Sequence, residues 1–335
     1  MPETMRKVAV VTGASAGVGR ATAVALARAG FDVAALARVE AGLEAAVKEV
    51  EGAGGRGLAV PVDVADHAAV DRAAAEAEEA LGPIDVWVND AMTTIFAPFW
   101  EIDPEEFRRA VEVTFLGQVW GTRAALERML PRDRGSIVNV GSSLAFLSIP
   151  LQSAYCASKF ACRGFFDSLR AELIHRGSNV RLSMVHLPGV NTTQFDWCES
   201  DFPTHPQPVP PIYQPEVPAK AIVEVALDGR RSKVVGSWNK LVVLAGQFMP
   251  GVGNHYAALG AWDTQLTDQP VAPSRPANLR RALDAGADHG AHGIFDDRSG
   301  GVLDPHFLRT VPQSGKTLAK AVAGRAREVW QRRAG

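Results

Sequence analysis

Short apolar runs rich in Val and Ala alternate with longer stretches of helical spacing along the first 190 residues. Lys7-Val-Ala-Val-Val11 is a β-branched run that reads as a buried strand. Arg20 to Ala29 is alanine-rich, carries helical periodicity and is closed by Gly30. Asp32 to Ala37 predicts a second strand, Gly57 to Val62 a third, and the apolar run from Ser136 to Ser143 a later one. Strand and helix alternating in this way predict an α/β architecture: a doubly wound parallel sheet with helices on both faces, in three layers. After Gln194 the texture changes. Phe202 to Pro218 is dense in proline, which fixes φ and removes backbone donors. Glu216 to Asp228 then predicts a helix and Lys233-Val-Val-Gly236 a last short strand. Leu241 to Gly253 is apolar, yet too short and too interrupted by Gln247, Pro250 and Gly251 to span a bilayer. The division expected is a body over residues 1–240 and a C-terminal extension over 241–335 that packs on the body or on a partner subunit.

Candidate chemistry begins just past the first strand. Thr12-Gly-Ala-Ser-Ala-Gly-Val-Gly19 sits between strand and helix, a layout that aims backbone N–H groups and a helix N-terminus at a phosphate. Gly13, Gly17 and Gly19 fit a tight turn, close backbone approach and close helix–strand packing; an ordinary glycine-rich turn would use the same residues. The second strand ends at Arg38 with no acid among Ala35, Leu36 and Ala37. An arginine there can pair with a 2′-phosphate, which favours NADP(H) over NAD(H); it could equally be a solvated charge at the strand end. Tyr155 and Lys159 stand four positions apart, so on a helix they share one face. A cation fixed beside a phenol favours its ionised form and moves it toward useful proton exchange.

On these motifs the chain resembles the classical short-chain dehydrogenases/reductases over roughly residues 5 to 235. Thr12-Gly-x-x-x-Gly-x-Gly19 matches the family's cofactor loop, which includes Ser15 and Val18. Asp63-Val64 matches the acid that contacts the adenine, and Val88-Asn89-Asp90-Ala91 stands where the family has Asn-Asn-Ala-Gly. The resemblance implies a Rossmann-like fold in which Asn89 stabilises the sheet and, with Ala91, lines the cofactor site. The family's spacing selects Ser142 over Ser143 as the catalytic serine. Pro188, Gly189 and Val190 then follow the sixth strand, with Thr192 or Thr193 near the nicotinamide amide. The implied reaction is hydride transfer between nicotinamide and a carbonyl or secondary alcohol, with Tyr155 exchanging the proton. Ser142 would bind the reacting oxygen, and Lys159 would hold the ribose. The stretch at about 191–216 would cover the substrate, making Phe195, Trp197 and Tyr213 candidates for its lining.

Three departures bear on this reading. Asp90 and Met92 replace the second Asn and the Gly of the Asn-Asn-Ala-Gly element; Thr114 stands where the family has the Asn of its proton relay; and Gly189 to Gln194 is one residue short. A threonine hydroxyl can bind a water but cannot copy a carboxamide, so Thr114 is a relay candidate only by position. It also keeps alive a weak or silent dinucleotide-binding regulator as an alternative. An epimerase or dehydratase relative is disfavoured, because those use Gly-x-x-Gly-x-x-Gly spacing.

Composition narrows the classes further. The chain has 335 residues and a formal net charge of −2, which argues against nucleic acid as the main partner. Its 3 cysteines show no repeated spacing, against a disulfide scaffold and in keeping with a reducing cytoplasm. Met1 to Arg6 is too short and polar for a signal peptide. Cys156 and Cys162 share the Tyr155 helix and read as packing residues. His289 and His292 read as loop residues rather than metal ligands. Lys316 to Arg333 places Leu318, Val322, Ala326 and Val329 near one face and is expected to dock on the body or a partner subunit. The resemblance implies a homodimer or homotetramer built through helices around 104–130 and 154–176.

Overall fold

The computed structural model describes residues 6–300, apart from 249–250, 252–256, 273–274 and 285. The expected helix at 316–333 lies outside the described residues. Seven strands form one parallel sheet: β1 (Lys7–Thr12), β2 (Phe31–Ala37), β3 (Gly57–Pro61), β4 (Ile84–Asn89), β5 (Ser136–Ser142), β6 (Arg181–Leu187) and β7 (Ser232–Val234). Their spatial order is 7-6-5-4-1-2-3. All neighbours run parallel, so each strand's return crosses a face of the sheet through a helix. The long helices are α1 (Gly17–Arg28), α2 (Glu40–Gly52), α3 (His67–Leu81), α4 (Pro104–Val111), α5 (Gly117–Met129), α6 (Ser153–Arg176), α7 (Glu216–Asp228) and α8 (Ser237–Phe248).

The apolar alternation decides the layers. In β1, Val8 and Val10 join one core cluster with Trp87 and Ile137, while Ala9 and Val11 join the other with Leu26, Val33 and Ile222. Both faces are buried, which is why these strands read as continuous rather than alternating apolar runs. Asp66 caps α3 by accepting from Ala68 N and Ala69 N, and Asp103 caps α4 ahead of Pro104. Between α4 and α5 the backbone widens into a π turn, Glu112–Leu116, which carries Val113 and Thr114.

Two predicted elements shift by two residues or more at one end, and others by a single residue. The first helix starts at Gly17, three residues earlier than Arg20, because Gly17, Val18 and Gly19 already have helical pairing. The last strand spans Ser232–Val234 instead of 233–236. Among the described residues no helix is long and apolar enough to cross a membrane. The apolar stretch after residue 240 is largely α8, whose Gly246 packs directly on the backbone of Phe146.

Candidate active site

The sheet order reverses between β1 and β4, and in such sheets ligands sit outside the carboxyl ends of the strands at that point. A cavity of about 1810 Å³ opens there. The glycine loop forms its floor. Gly13 has φ +71, and a side chain on it would press to 2.9 Å of the Ala91 backbone; one on Gly19 would come within 2.2 Å of Gly13 O. These contacts fold the loop tightly enough for α1 to begin at once. Ala16, the residue preceding α1, has no side chain that can cap it, so the first turn of the helix turns its positive end and its N–H groups, that of Gly19 shared with the Asp90 carboxyl, toward the cavity. That donor set fits a phosphate group. Gly13, Ser15, Gly17, Val18, Arg38, Asp63, Val64 and Ala91 all border the cavity, as do Pro188, Gly189, Val190, Thr192 and Thr193 from the far side of the sheet. Gly19 lies behind the loop.

At the other end stand Ser142, Tyr155 and Lys159, all on the cavity wall. Ser142 ends β5; its Oγ accepts from Leu144 N at 3.1 Å, which orients it. Tyr155 and Lys159 occupy the first two turns of α6. Lys159 Nζ lies 5.6 Å from the centre of the Tyr155 ring and donates to Val140 O at 2.8 Å. Burial raises the Tyr155 phenol well above its usual range, and its hydrogen bond with Ser142 lowers it. Burial also lowers the Lys159 ammonium, against attraction from Cys162 and Asp90. The Tyr155 phenol is therefore governed in this structure by exclusion of water, and the expected acidification by Lys159 is not among the influences that set it. Behind Ser142, His186 is buried and pushed down to about 4 by desolvation, so it is neutral near pH 7.

Several expected site residues have other positions. Thr114 is fully buried: its Oγ1 donates to Thr93 O at 2.8 Å and accepts from Thr93 N at 3.0 Å, and it does not border the cavity. The π turn aims its hydroxyl at the backbone after β4 and away from the cavity. Asn89 is also sealed off from the cavity. Its carboxamide accepts from Trp87 Nε1 at 2.8 Å and donates to Asn139 Oδ1 at 2.8 Å and Thr122 Oγ1 at 3.0 Å, tying β4 to β5 and α5. Tyr213 does not line the cavity either. It pairs in register with Val190 and Gly300, and its ring packs on Gly236, so extended pairing turns it inward. Phe195 and Trp197 do border the cavity, Phe195 from a cluster with Phe96, Ile212 and Phe295.

The extension reaches the site in a way the sequence pattern does not announce. Arg38 Nη2 donates to Asn278 O at 2.7 Å, and Arg109, ion-paired with Asp63, donates through Nε to Leu279 O at 3.3 Å. Leu279 is buried among Ile95, Ala97, Ala110 and Ala154. Asp284 and Ser15 both lie against Gly42. Asp288 and Glu49 both pair with the buried Arg20 of α1. Gly17 N donates to Gly290 O at 3.3 Å. His292 bridges Glu216 at 2.7 Å and Asp296 at 3.0 Å, and Asn191 Nδ2 donates to Asp296 at 2.8 Å. The described residues between 278 and 300 thus lie as a strap along the dinucleotide half of the cleft. A second residue that the pattern registered only as a departure is Asp90. Its carboxyl lines the cavity, accepts from Gly19 N–H and faces Lys159; burial pushes it up to about 7, with Lys159 opposing. Among the described residues no group of three His, Cys, Asp or Glu is placed to hold a metal.

Comparison with known proteins agrees with this geometry. The family model for short chain dehydrogenase matches residues 7–201. An uncharacterized oxidoreductase, YxnA, of Bacillus subtilis (strain 168) is 31% identical over 277 residues, covering 82% of this chain and 77% of that protein. The 3-dehydrosphinganine reductase of Danio rerio is 32% identical over 235 residues, 68% of this chain and 70% of the relative. A crystal structure of a metagenomic short-chain oxidoreductase in complex with NADP superposes with a TM-score of 0.59 at 28% identity, covering 70% of this chain and 97% of that one. The chain is therefore a member of the short-chain dehydrogenase family, an oxidoreductase built on a Rossmann-like α/β sheet with a nicotinamide dinucleotide cofactor.

Proposed function

We propose that the protein is an NADP(H)-dependent oxidoreductase acting on a carbonyl or secondary alcohol, with Tyr155 as general acid and base. The observation that carries this reading is the convergence of Ser142, Tyr155 and Lys159 on one cavity wall. Gly189 and Lys159, both on the cavity wall, would hold the nicotinamide, which would supply or accept the hydride. Ser142 Oγ, oriented by Leu144 N, donates to the reacting oxygen as its negative charge grows. Tyr155 Oη delivers the proton to that oxygen in reduction and removes it in oxidation. An apolar, water-poor wall holds the phenol protonated in the resting site, so it begins a reduction as the acid. Lys159, held by Val140 O, places a cation under the ring, where tyrosinate would be stabilised once the proton has left. Beyond Ser142 the wall is formed by Leu147, Ile149, Leu241, Val242 and Ala245, which suits a substrate with a hydrocarbon arm.

Arg38 supports the choice of NADP(H), because its guanidinium stands on the wall at the end of β2 with N–H groups beyond the two engaged by Asn278 and Leu279. The test follows NADPH absorbance with a panel of ketones and aldehydes. Tyr155→Phe should lower kcat/KM by about 10²–10⁴; turnover that ignores the substitution removes the proposed acid. Tighter binding of NADH than NADPH, unaffected by Arg38→Ala, removes the coenzyme assignment.

A further inference from the structure

The charge around Arg38 is unusual for a site meant to take a phosphate. Arg38 is largely buried, and burial lowers its guanidinium, against attraction from Asp63 and Asp284. Asp63 is ion-paired with Arg109 and also accepts from Ala65 N at 3.0 Å, so its charge is balanced. Asp284 comes from the strap. Its side chain is nearly closed to solvent at 6% exposure, and its Oδ2 stands 2.8 Å from where a Cβ on Gly42 would be, with Ser15 Cβ 2.9 Å from the same point. Ser15, Arg38 and Asp284 all border the cavity, and Asp284 is near enough to Arg38 to attract its guanidinium. In effect, the acid that is missing from the end of β2 is brought to that place by a segment some 240 residues further along the chain.

We propose that Asp284 sets the choice between the two nicotinamide coenzymes by competing with the 2′-phosphate for Arg38. This rests on the reading of the cleft as a dinucleotide site whose adenosine end lies at Arg38. A coenzyme with a free 2′-hydroxyl finds a hydrogen-bond acceptor in the Asp284 carboxylate and leaves the strap closed. One with a 2′-phosphate places a second anion beside that carboxylate, in a pocket where solvent screens little, and must displace the strap to reach Arg38. Arg38 therefore favours NADP(H) while Asp284 opposes it, and the balance is held by a segment outside the Rossmann sheet.

Equilibrium binding of NADPH and NADH to the full-length protein, read by nicotinamide fluorescence, tests this. Asp284→Asn keeps the size and removes the charge; it should tighten NADPH by about tenfold or more while moving NADH by about twofold or less. Asp284→Glu keeps the charge and should keep the wild-type ratio. Asp284→Ser serves if the Asn variant misfolds. Asp288→Asn, which loosens the strap at Arg20 away from this pocket, should change both affinities alike. An unchanged NADPH to NADH ratio in Asp284→Asn, or equal shifts of both, overturns the proposal while leaving the enzyme assignment standing. Wild-type protein that binds neither coenzyme overturns the parent reading and this one with it.

Discussion

Asn89→Ala separates a structural role from a coenzyme-binding one. The wild-type carboxamide is fully buried and completes a triangle with Thr122 and Asn139 while accepting the Trp87 indole N–H. Truncation leaves Trp87 Nε1 with no acceptor, a desolvated donor that costs about 1–3 kcal/mol. Asn139 Oδ1 keeps the Thr122 hydroxyl at 3.3 Å, so that corner loses only about 1 kcal/mol. The void left beside the sheet adds roughly 1 kcal/mol. The sum, about 3–5 kcal/mol, is a large share of the 5–15 kcal/mol that typically holds a domain together. Urea unfolding should show it as a lower midpoint with an unchanged slope. Because Asn89 does not reach the cavity, NADPH affinity of the folded fraction should change by less than about threefold, well under 1 kcal/mol. Stability near wild type together with NADPH bound about tenfold more weakly would refute the sealed geometry and return Asn89 to the coenzyme site.

Three other perturbations probe separate parts of the cleft. Gly19→Ala puts a methyl 2.2 Å from Gly13 O, a backbone atom that cannot swing aside; it should destabilise by about 1–3 kcal/mol and abolish detectable NADPH binding by fluorescence, and normal binding would show that the loop yields. His292 loses affinity for its proton through burial but gains more from Glu216 and Asp296, and its folded pKa is raised. The stabilisation it gives the strap is complete below its unfolded value of about 6.5 and fades as pH rises through the folded value. The difference in Tm between wild type and His292→Ala should therefore shrink across that window, and a difference independent of pH would count against the bridge. Asp90 has its folded value raised from the unfolded value near 3.9 to about 7, so its ionisation opposes folding increasingly from pH 4 to 7. Asp90→Asn should gain on the order of 4 kcal/mol over wild type at pH 8 and nothing near pH 4; equal denaturation midpoints at pH 8 would show the carboxyl to be well solvated.

The sheet was legible because β-branched runs buried on both faces, such as Val8 to Val11, leave a local signature independent of their partners. Tyr155 and Lys159 were legible for a similar reason: their relation is four residues long and set by helix geometry. What stayed hidden depended on partners far away in sequence. Tyr213, one of the few aromatic residues in a proline-rich stretch, looks like pocket lining until pairing with residues 299–300 turns it inward. Thr114 sits where the expected relay residue belongs, but one π turn directs its hydroxyl to Thr93. The contacts made by Asn278, Asp284 and Asp288 follow no period at all, so no window of sequence could have placed them over the glycine loop.

The strap also imposes an order of assembly. Asp288 is 268 positions from Arg20, so the pairing that fastens it to α1 waits until nearly three hundred residues have left the ribosome. Every element of the sheet is synthesised before then, and closing so long a chain segment is entropically slow compared with local folding. A nascent protein thus carries every strand of the nucleotide groove before the residues that cover it have been made.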